Sequence, residues 1–538
     1  MNFTPPAYAS KSVVINALRL FVKPVVCQLA FFVLLFVLLN APDIFALAVF
    51  HSFVPLFKAS SGFLFCYLLA LLAVVLPSSF RKFYKIALLS VSIILFIVDV
   101  YLLLLYGDTL GTISKDAIAA ILATNSSESV EYLNTVITAD RLLIIAILLS
   151  VIFVLFFCLR KIHFVWNDFF MCALTLLLLA FFVITLKSFD RLKESNFYYL
   201  LTKDCPDLSE YRQNPMVLCD GTSVENIVLV IGESFSKFHS SLYGYEKNTN
   251  PLLGKLGSDS TLLVYENITS ACVTTIPSIK SIMMAYTDAI KDSIEWYRCL
   301  TLIEVMSNVG YRNYWFSNQS KTGIYDNEVG RFADLCDEQF FIGDKYSGID
   351  RNNKDGELLP LMENNLSDST LSKFIIVQMM GSHTAFNMRY PESFDIFDNE
   401  DYNITHPGLS RVNRQLLAEY DNSILYNDYV LNELFQLFVN KDAIVFYFSD
   451  HGIDVFNTSN DYIGHAKANT VSVNVAKQIP FMVYTSPLFR EKHPELQWRI
   501  KNAVNRPYST DSIMYTIMDI AGVETVNGVS YKHKSLFK

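Results

Sequence analysis

The 538-residue sequence contains no long run of basic residues, and its formal net charge is −9. Since nucleic-acid-binding proteins carry clustered Lys and Arg, this pattern argues against nucleic acid as a partner. No Cys-x-x-Cys pair is present, which argues against a cysteine-rich zinc site. Internal repeats and low-complexity tracts are also missing, so no repeat architecture is predicted.

Hydrophobic residues are abundant instead, and they are unevenly distributed. They make up 52% of the chain, the mean hydropathy is +0.31, and the excess precedes about residue 187. Five apolar stretches each have roughly the 15–21 residues needed to cross ~30 Å of hydrocarbon. They lie near residues 21–39, 62–76, 86–106, 142–159 and 169–186. The first follows basic residues and lacks a small-residue cleavage site, so we interpret it as a retained anchor.

The distribution of Lys and Arg between these stretches predicts their orientation. Basic residues cluster before the first stretch, between the second and third, and between the fourth and fifth. They are Lys11, Arg19, Lys23, Arg81, Lys82, Lys85, Arg160 and Lys161. By the positive-inside rule the N-terminus is cytoplasmic, and five crossings place everything after about residue 187 outside the cytoplasm. Residues 41–60 either lie along the membrane surface or form an early start to the second span.

The rest of the sequence alternates apolar runs with helical patterns. Four runs rich in β-branched and aromatic residues are typical of buried strands in a parallel sheet. They are 226–232, 312–316, 373–380 and 442–449, and a further strand is expected at 479–485. Helices are expected at about 276–287, 299–309, 408–440 and 508–521. This alternation predicts a three-layer α/β/α domain. The predicted organisation is a five-helix transmembrane domain at 1–186, a linker at 187–223 and an exported α/β domain at 224–538.

Polar residues follow all four of these strands, and those after the second are Ser317-Asn318-Gln319. Glu233 comes after the first strand, His383 after the third and Asp450-His451 after the fourth. In open α/β sheets the ligand site lies beyond the carboxyl ends of the strands, so these side chains are expected to meet at one edge. A mixed set of carboxylate, imidazole and hydroxyl ligands suits Zn²⁺, or Mn²⁺, better than Ca²⁺. His383 and His465 are candidates for acid–base work or a second metal.

Thr275 is a candidate nucleophile. Pro277 and Ser278 suit the first turn of a helix, which puts Thr275 at the helix N-terminus. Free backbone N–H groups and the helix dipole favour an anion there. A bound cation would lower the pKa of the hydroxyl and neutralise charge on a phosphoryl oxygen. Taken alone, the same position also fits an ordinary N-cap.

These residues belong to a set of motifs that resembles a known family. The exported part resembles the alkaline phosphatase/sulfatase superfamily, and residues 275–278 have the form of the sulfatase nucleophile motif with Thr in place of Cys. The whole chain resembles the membrane-anchored phosphoethanolamine transferases that modify lipid A, lipopolysaccharide core sugars and other envelope glycans. The supporting motifs are Ile231-Gly232-Glu233-Ser234, Tyr243-Gly244-Tyr245, Thr249-Asn250-Pro251, Asn318-Gln319, Gly381-Ser382-His383, Arg389-Tyr390-Pro391, Tyr420-Asp421-Asn422-Ser423, Ser449-Asp450-His451-Gly452 and Gly464-His465.

The resemblance implies how the catalytic centre works. The residues that would bind a catalytic zinc are Glu233, Thr275, Asp450 and His451. Thr275 would be the residue that becomes phosphoethanolaminylated, with Thr274 as a rival for that role. Thr275 is preferred because only it stands two residues before Pro277 and three before Ser278.

The resemblance also implies the substrates. Phosphatidylethanolamine is the expected donor, and lipid A, lipopolysaccharide or another envelope glycan is the expected acceptor. His383 and His465 would contact the transferred group or a second zinc, and Thr124 and Glu128 would contact the lipid. The protein is expected to be a monomer in the cell inner membrane, with its catalytic domain in the periplasm.

Other functions are consistent with parts of the sequence. A lipoteichoic-acid-type glycerol-phosphate transferase has a similar topology and a Thr nucleophile, and a phosphatase or sulfatase would use water as the acceptor. The retained anchor argues against a simple hydrolase. A membrane-tethered binding or sensor protein would be expected to lack part of the nucleophile and ligand set, which is complete here.

Overall fold

The structure is a computed structural model that describes the chain in stretches separated by gaps. The described residues are 22, 28–49, 55–106, 109, 139–160, 207–221, 224–259, 261–284, 295–321, 328–342, 353–366, 372–460, 462–465 and 470–538. The chain divides into two compact units. The described part of the first unit is helical, and that of the second is mixed α/β. The mixed α/β architecture predicted for the second half is therefore confirmed.

The first unit contains long apolar helices. In the described part of the chain these are α1 (Leu29–Val49), α2 (Pro55–Val75), α3 (Ser78–Tyr106) and α4 (Ala139–Arg160). By length and composition, α1, α3 and α4 each contain a stretch that can cross a membrane, whereas the apolar stretch Ser61–Val75 of α2 is shorter. These helices overlap four of the predicted spans. The fifth, 169–186, lies outside the described residues, so the count of five stays a prediction.

The helices on either side of residues 50–54 fit the second of the two alternatives given above for residues 41–60, an early start to the second span. α1 continues to Val49, well past the predicted end of the first span, and α2 begins at Pro55, as an early start to the second span requires. The two helices pack closely: Asn40 of α1 is buried, and its side-chain amide lies 3.6 Å from Cys66 Sγ of α2. Gly62 permits this approach, since a Cβ atom there would lie 1.7 Å from Asn40 Oδ1.

A sheet of seven described strands forms the centre of the second unit. Its strands are β2 (Asn226–Gly232), β3 (Leu262–Val264), β5 (Arg312–Ser317), β6 (Glu338–Phe341), β7 (Lys373–Gln378), β8 (Ala443–Ser449) and β11 (Phe481–Thr485). Their order across the sheet is β3-β11-β8-β2-β7-β5-β6. The five strands from β8 to β6 are parallel, and β11 runs antiparallel to both β8 and β3. The carboxyl ends of β2, β5, β7 and β8 therefore share one edge.

Helices cover both faces of this sheet, because successive strand residues point to opposite sides. Ile227, Leu229 and Ile231 of β2 pack with α6 (Thr275–Met283), α7 (Leu302–Val309), α13 (Pro494–Asn502) and α14 (Ile513–Ile520). Val228 and Val230 pack with α5 (Pro251–Ser258), α9 (Leu358–Asn365) and α10 (Arg411–Gln436). The other described helices are α8 (Glu328–Ala333), α11 (Thr470–Ala476) and α12 (Pro487–Lys492).

Local capping explains where the helices differ from their predicted bounds. α7 begins at Leu302 because Thr301 and Glu304 form a capping box before it. α6 ends at Met283, since Met284 is extended and forms a β-bridge with Thr301. Residues 508–509, expected to be helical, form a strand, so α14 begins only at Ile513.

Three small two-stranded sheets complete the described part of the second unit. They pair β1 (Val217–Cys219) with β13 (Val523–Val526), β4 (Ile268–Thr269) with β12 (Tyr508–Ser509), and β9 (Asp454–Val455) with β10 (Ile463–Gly464). β1 lies inside the predicted linker and runs antiparallel to β13, so this part of the chain packs on the α/β fold. The domain boundaries themselves stay a prediction.

Candidate metal centre and nucleophile

Glu233 and Asp450 follow two neighbouring parallel strands. Gly232 of β2 and Ser449 of β8 are paired residues, and the Asp450 N–H donates to the Gly232 carbonyl at 3.0 Å. The residues directly after them therefore emerge side by side. Glu233, Asp450 and His451 are each at most 2% exposed. Strand register alone thus brings two buried carboxylates and an imidazole to one point.

The three side chains form a compact group of possible metal ligands. One ligand atom from each lies within 4.8 Å of the others. His451 Nε2 is 3.4 Å from Glu233 Oε1 and 3.5 Å from Asp450 Oδ2. His451 Nδ1 lies 2.9 Å from the Gly452 carbonyl oxygen, to which it donates. That bond fixes the tautomer and leaves Nε2 free to bind a cation.

The hydroxyl of Thr275 lies against this group. Thr275 Oγ1 is 3.2 Å from Glu233 Oε2 and 3.4 Å from His451 Nε2. Thr275 is the first residue of α6, so its hydroxyl sits where the helix N-terminus favours negative charge. Thr274 is the N-cap residue and makes no side-chain capping bond. The structure therefore brings together Glu233, Thr275, Asp450 and His451, as expected from the sequence.

Burial makes the charges of this centre costly. Burial raises the pKa of the Glu233 carboxyl, and the neighbouring Asp450 carboxyl raises it further. Burial also raises the pKa of Asp450, to about 7. Asp450 Oδ2 is buried and accepts no hydrogen bond from any of the residues that the structure describes. Two close carboxylates with an open oxygen, an imidazole nitrogen and a hydroxyl are a donor set that suits a divalent cation such as zinc.

Ser234 joins the two carboxylates through an unusual backbone conformation. Its φ is 55°, in the left-handed region, and the residue is buried. In this conformation its N–H donates to Asp450 Oδ1 at 3.3 Å and its hydroxyl donates to Glu233 Oε1 at 2.8 Å. Strained residues of this kind cluster at functional sites. Gly381 packs beside it, and a Cβ there would lie 2.7 Å from the Glu233 carbonyl oxygen.

The two other predicted histidines lie beside the centre. The His465 ring is 4.3 Å from the His451 ring, and burial, then the nearby His451, lowers the pKa of His465 well below its usual range. His383 is close enough to Glu233 to influence the pKa of that carboxyl. Nδ1 of both His383 and His465 is buried without a hydrogen-bond partner. Thr124 and Glu128 lie outside the described residues.

Asp355 supports the site and was missed in the sequence. Its Oδ1 accepts from the Met380 N–H and from Asn318 Nδ2, both at 2.8 Å, and its Oδ2 accepts from the Gly381 N–H at 2.8 Å. This buried carboxylate ties the loop after β5 to the loop that carries His383. No pattern around residue 355 distinguishes it from an ordinary acidic residue, so the sequence offered no signal.

Helix α10 explains the Tyr420-Asp421-Asn422-Ser423 motif. Tyr420 donates to the Ser234 carbonyl at 2.8 Å, and its oxygen accepts from the Ser236 N–H at 2.8 Å. Ser423 Oγ donates to Ser382 Oγ at 2.8 Å. One face of α10 thus holds the loops after β2 and β7, which carry Glu233 and His383.

Comparison with known proteins gives the family. The sequence profile of the sulfatase family matches residues 225–523, more than half of the chain. The chain belongs to the sulfatase family. Among similar members, phosphoethanolamine transferase EptC of Escherichia coli strain K12 is 31% identical over 311 residues, which cover 56% of this chain and 52% of the relative. The match thus spans about half the length of this curated relative.

Solved structures with a similar fold are also found. The C-terminal periplasmic domain of EptC from Escherichia coli, in complex with zinc, is similar with a TM-score of 0.54 and 28% identity, over 60% of this chain and 89% of that chain. The integral membrane lipooligosaccharide phosphoethanolamine transferase EptA from Neisseria meningitidis matches with a TM-score of 0.62 and 20% identity, over 98% of both chains. The second match shows the fold alone.

Proposed function

We propose that the protein is a zinc-dependent phosphoethanolamine transferase. It takes phosphoethanolamine from phosphatidylethanolamine and gives it to an envelope glycolipid or glycan, through a covalent intermediate on Thr275. One observation carries the proposal: the Thr275 hydroxyl lies within 3.4 Å of both Glu233 and His451, at the first residue of a helix. The name of the curated relative supports the same reaction.

A divalent cation fits the residues around Thr275. The open Asp450 Oδ2 and the imidazole His451 Nε2 converge with the Glu233 carboxylate in a buried pocket. Two buried carboxylates repel each other unless a positive charge neutralises them. Zinc is our choice because it accepts mixed oxygen and nitrogen ligands and because the similar EptC domain is a zinc complex. When bound, it would lower the pKa of the Thr275 hydroxyl and stabilise charge on a phosphoryl oxygen.

The transfer takes two steps on this scheme. First, Thr275 Oγ1 forms a bond to the donor phosphorus while the bond to the diacylglycerol oxygen breaks. The Thr275 hydroxyl proton passes to His383 or His465, and that histidine gives it to the leaving diacylglycerol oxygen. Second, an acceptor oxygen attacks the phosphorus on Thr275 and the Oγ1–phosphorus bond breaks. The acceptor proton passes to the same histidine and from there to Thr275 Oγ1, which restores the hydroxyl. The N–H groups at the start of α6 stabilise the negative charge that builds up in each step.

The predicted membrane part suits these substrates. Both donor and acceptor stay at a bilayer surface, so an anchored enzyme meets them there without extracting either one. We propose five spans within residues 1–186, a linker at 187–223 and a periplasmic catalytic domain at 224–538. In this arrangement Thr124 and Glu128, in the outside loop between the third and fourth spans, contact the lipid.

Substitution of the nucleophile tests the proposal. Thr275→Ala is expected to reduce transfer from a fluorescent phosphatidylethanolamine by about 10³-fold or more, because it removes the hydroxyl that forms the proposed intermediate. The same variant should yield no phosphoethanolamine adduct when the intact protein is analysed by mass spectrometry. Thr274→Ala is the matched control, and its rate should stay within about threefold of the parent, since the Thr274 side chain makes no capping hydrogen bond to the helix among the described residues.

Substrate choice separates the rival functions. Turnover of phosphatidylglycerol in place of phosphatidylethanolamine would indicate a glycerol-phosphate transferase, and free phosphoethanolamine without an acceptor product would indicate a hydrolase. Near-normal transfer by Thr275→Ala would remove Thr275 from the mechanism. Mass spectrometry of envelope glycolipids from cells with and without the protein should locate the acceptor by a gain of one phosphoethanolamine.

A further inference from the structure

Gln319 has no role in the scheme above, although it lies against Glu233. Its Nε2 is 3.2 Å from Glu233 Oε2 and 3.1 Å from the Met379 carbonyl oxygen. Both partners are acceptors, so this end of the amide must be its NH₂ group. Glu233 therefore receives an N–H bond from a neutral side chain that belongs to a different strand end.

The other polar atoms of Gln319 are held by two neighbouring strands. Its Oε1 accepts from Gln378 Nε2 at 2.8 Å, and Gln378 Oε1 accepts from Ser317 Oγ at 3.2 Å. The Gln319 backbone N–H donates to Ser317 Oγ at 3.0 Å. Ser317 of β5 and Gln378 of β7 are directly paired residues. The register of the sheet thus fixes the direction of the Gln319 amide.

With the bond from Gln319, both oxygens of the Glu233 carboxylate accept hydrogen bonds. Ser234 donates to Oε1 from one side, and Gln319 donates to Oε2 from the other. A carboxylate held at both oxygens cannot rotate freely, so its remaining lone pairs keep a fixed direction. Mutation of a residue that orients a metal ligand in this way typically lowers metal affinity or activity by roughly 10–100-fold.

We propose that Gln319 is a positioning residue for Glu233 as a metal ligand, and that Gln378 and Ser317 set the direction of its amide. The inference rests on the proposed function, because it requires a metal at Glu233, Asp450 and His451. Gln319 acts through Glu233, because Glu233 is the proposed ligand to which its side chain donates a hydrogen bond. Its loss therefore weakens metal binding without removing a ligand.

Zinc affinity of the full-length, detergent-solubilised protein tests this directly, by competition with a chromophoric chelator. Gln319→Met keeps the length of the side chain and removes its N–H donor. We expect zinc to bind about tenfold more weakly or worse, and the increase in Tm caused by zinc to shrink accordingly. The Tm of the metal-free protein should change little, which a merely structural role would not allow. Gln378→Met should weaken zinc binding by about threefold, since the bond from Gln319 to Glu233 remains.

Gln339→Met is the matched control, because it makes the same change at an exposed residue of β6 and should leave zinc affinity unchanged. Zinc affinity of Gln319→Met within twofold of the parent would overturn this inference and leave the proposed function standing. A parent protein that binds no zinc would overturn both. If Gln319→Met does not fold, Gln378→Met decides the matter, and an unchanged affinity in that variant would count against the inference.

Discussion

Two buried aspartates at the site, Asp450 and Asp355, differ in the hydrogen bonds that their carboxylates accept. After β8, Asp450 Oδ1 accepts from the N–H groups of Ser234 and His451, whereas Oδ2 accepts no hydrogen bond within the described part of the chain. Asp355, which binds the loops after β5 and β7, is also buried, but both of its oxygens accept hydrogen bonds. Burial raises the pKa of both carboxyls. The two aspartates therefore differ in their partners rather than in their burial.

This difference distinguishes a metal ligand from a structural carboxylate. A buried carboxylate whose two oxygens both accept N–H hydrogen bonds is already stabilised by its partners and does not need a cation. One that keeps an open oxygen beside a second carboxylate and an imidazole needs a cation to balance its charge. Asp450 belongs to the second type and Asp355 to the first. Two buried aspartates near the same edge of one sheet can therefore have different functions.

The largest effect is expected where the open oxygen is replaced. In Asp450→Asn the amide oxygen can keep both N–H bonds at the Oδ1 position, while an NH₂ group takes the place of the open oxygen. Zinc should no longer bind measurably, and transfer should fall by about 10³-fold, as expected for losing several kcal/mol of metal stabilisation. Chelator competition and turnover of a fluorescent phosphatidylethanolamine measure the two losses.

Stability provides the control for this variant. The metal-free Asp450→Asn protein should melt at or above the Tm of the metal-free parent, because the substitution removes a buried charge that has no cation to balance it. A lower Tm would mean that Asp450 stabilises the fold without metal, and the distinction between the two aspartates would fail.

A stability loss is expected on the other side of the comparison. Asp355→Ala leaves the Met380 and Gly381 N–H groups and the Asn318 amide without their acceptor, which should destabilise the protein by about 3 kcal/mol. Chemical denaturation of the metal-free protein measures this. Glu357→Ala is the matched control, since Glu357 is exposed and lies with Asp355 on the short 3₁₀ helix Asp355–Glu357. If Asp355→Ala abolished zinc binding while leaving stability unchanged, Asp355 would be acting as a ligand.

The sheet was predictable because its central strands are continuous apolar runs. The predicted and observed bounds of β2 coincide, and those of β8 differ by one residue. The antiparallel direction of β11 was not predictable, since a buried run of apolar residues carries no sign of strand direction. Helix ends were less accurate because caps such as Thr301 depend on partners that a periodic pattern does not reveal.

The site divides along a similar line. Glu233, Asp450 and His451 could be anticipated because each directly follows a strand, and strand ends meet at one edge. Asp355 could not, because its role depends on hydrogen bonds to backbone groups that lie distant in sequence. Gln319 is an intermediate case: its motif stood out in the sequence, yet its contact with Glu233 requires the register of β5 and β7.

A pH dependence is expected for the stability of the metal-free protein. Since the pKa of Asp450 rises from 3.8 to about 7 in the fold, the folded state binds its proton more tightly than the unfolded state does. Between about pH 4 and pH 7 the contribution of this group to stability should therefore fall as the pH rises, by at most about 1.4 kcal/mol per pH unit. Unfolding of chelator-treated protein across this range measures the slope. Asp450→Asn should flatten it relative to the parent, whereas Glu357→Ala should not. Parallel curves for the parent and Asp450→Asn would show that the fold does not raise the pKa of Asp450, so its carboxylate would need no cation to stay ionised.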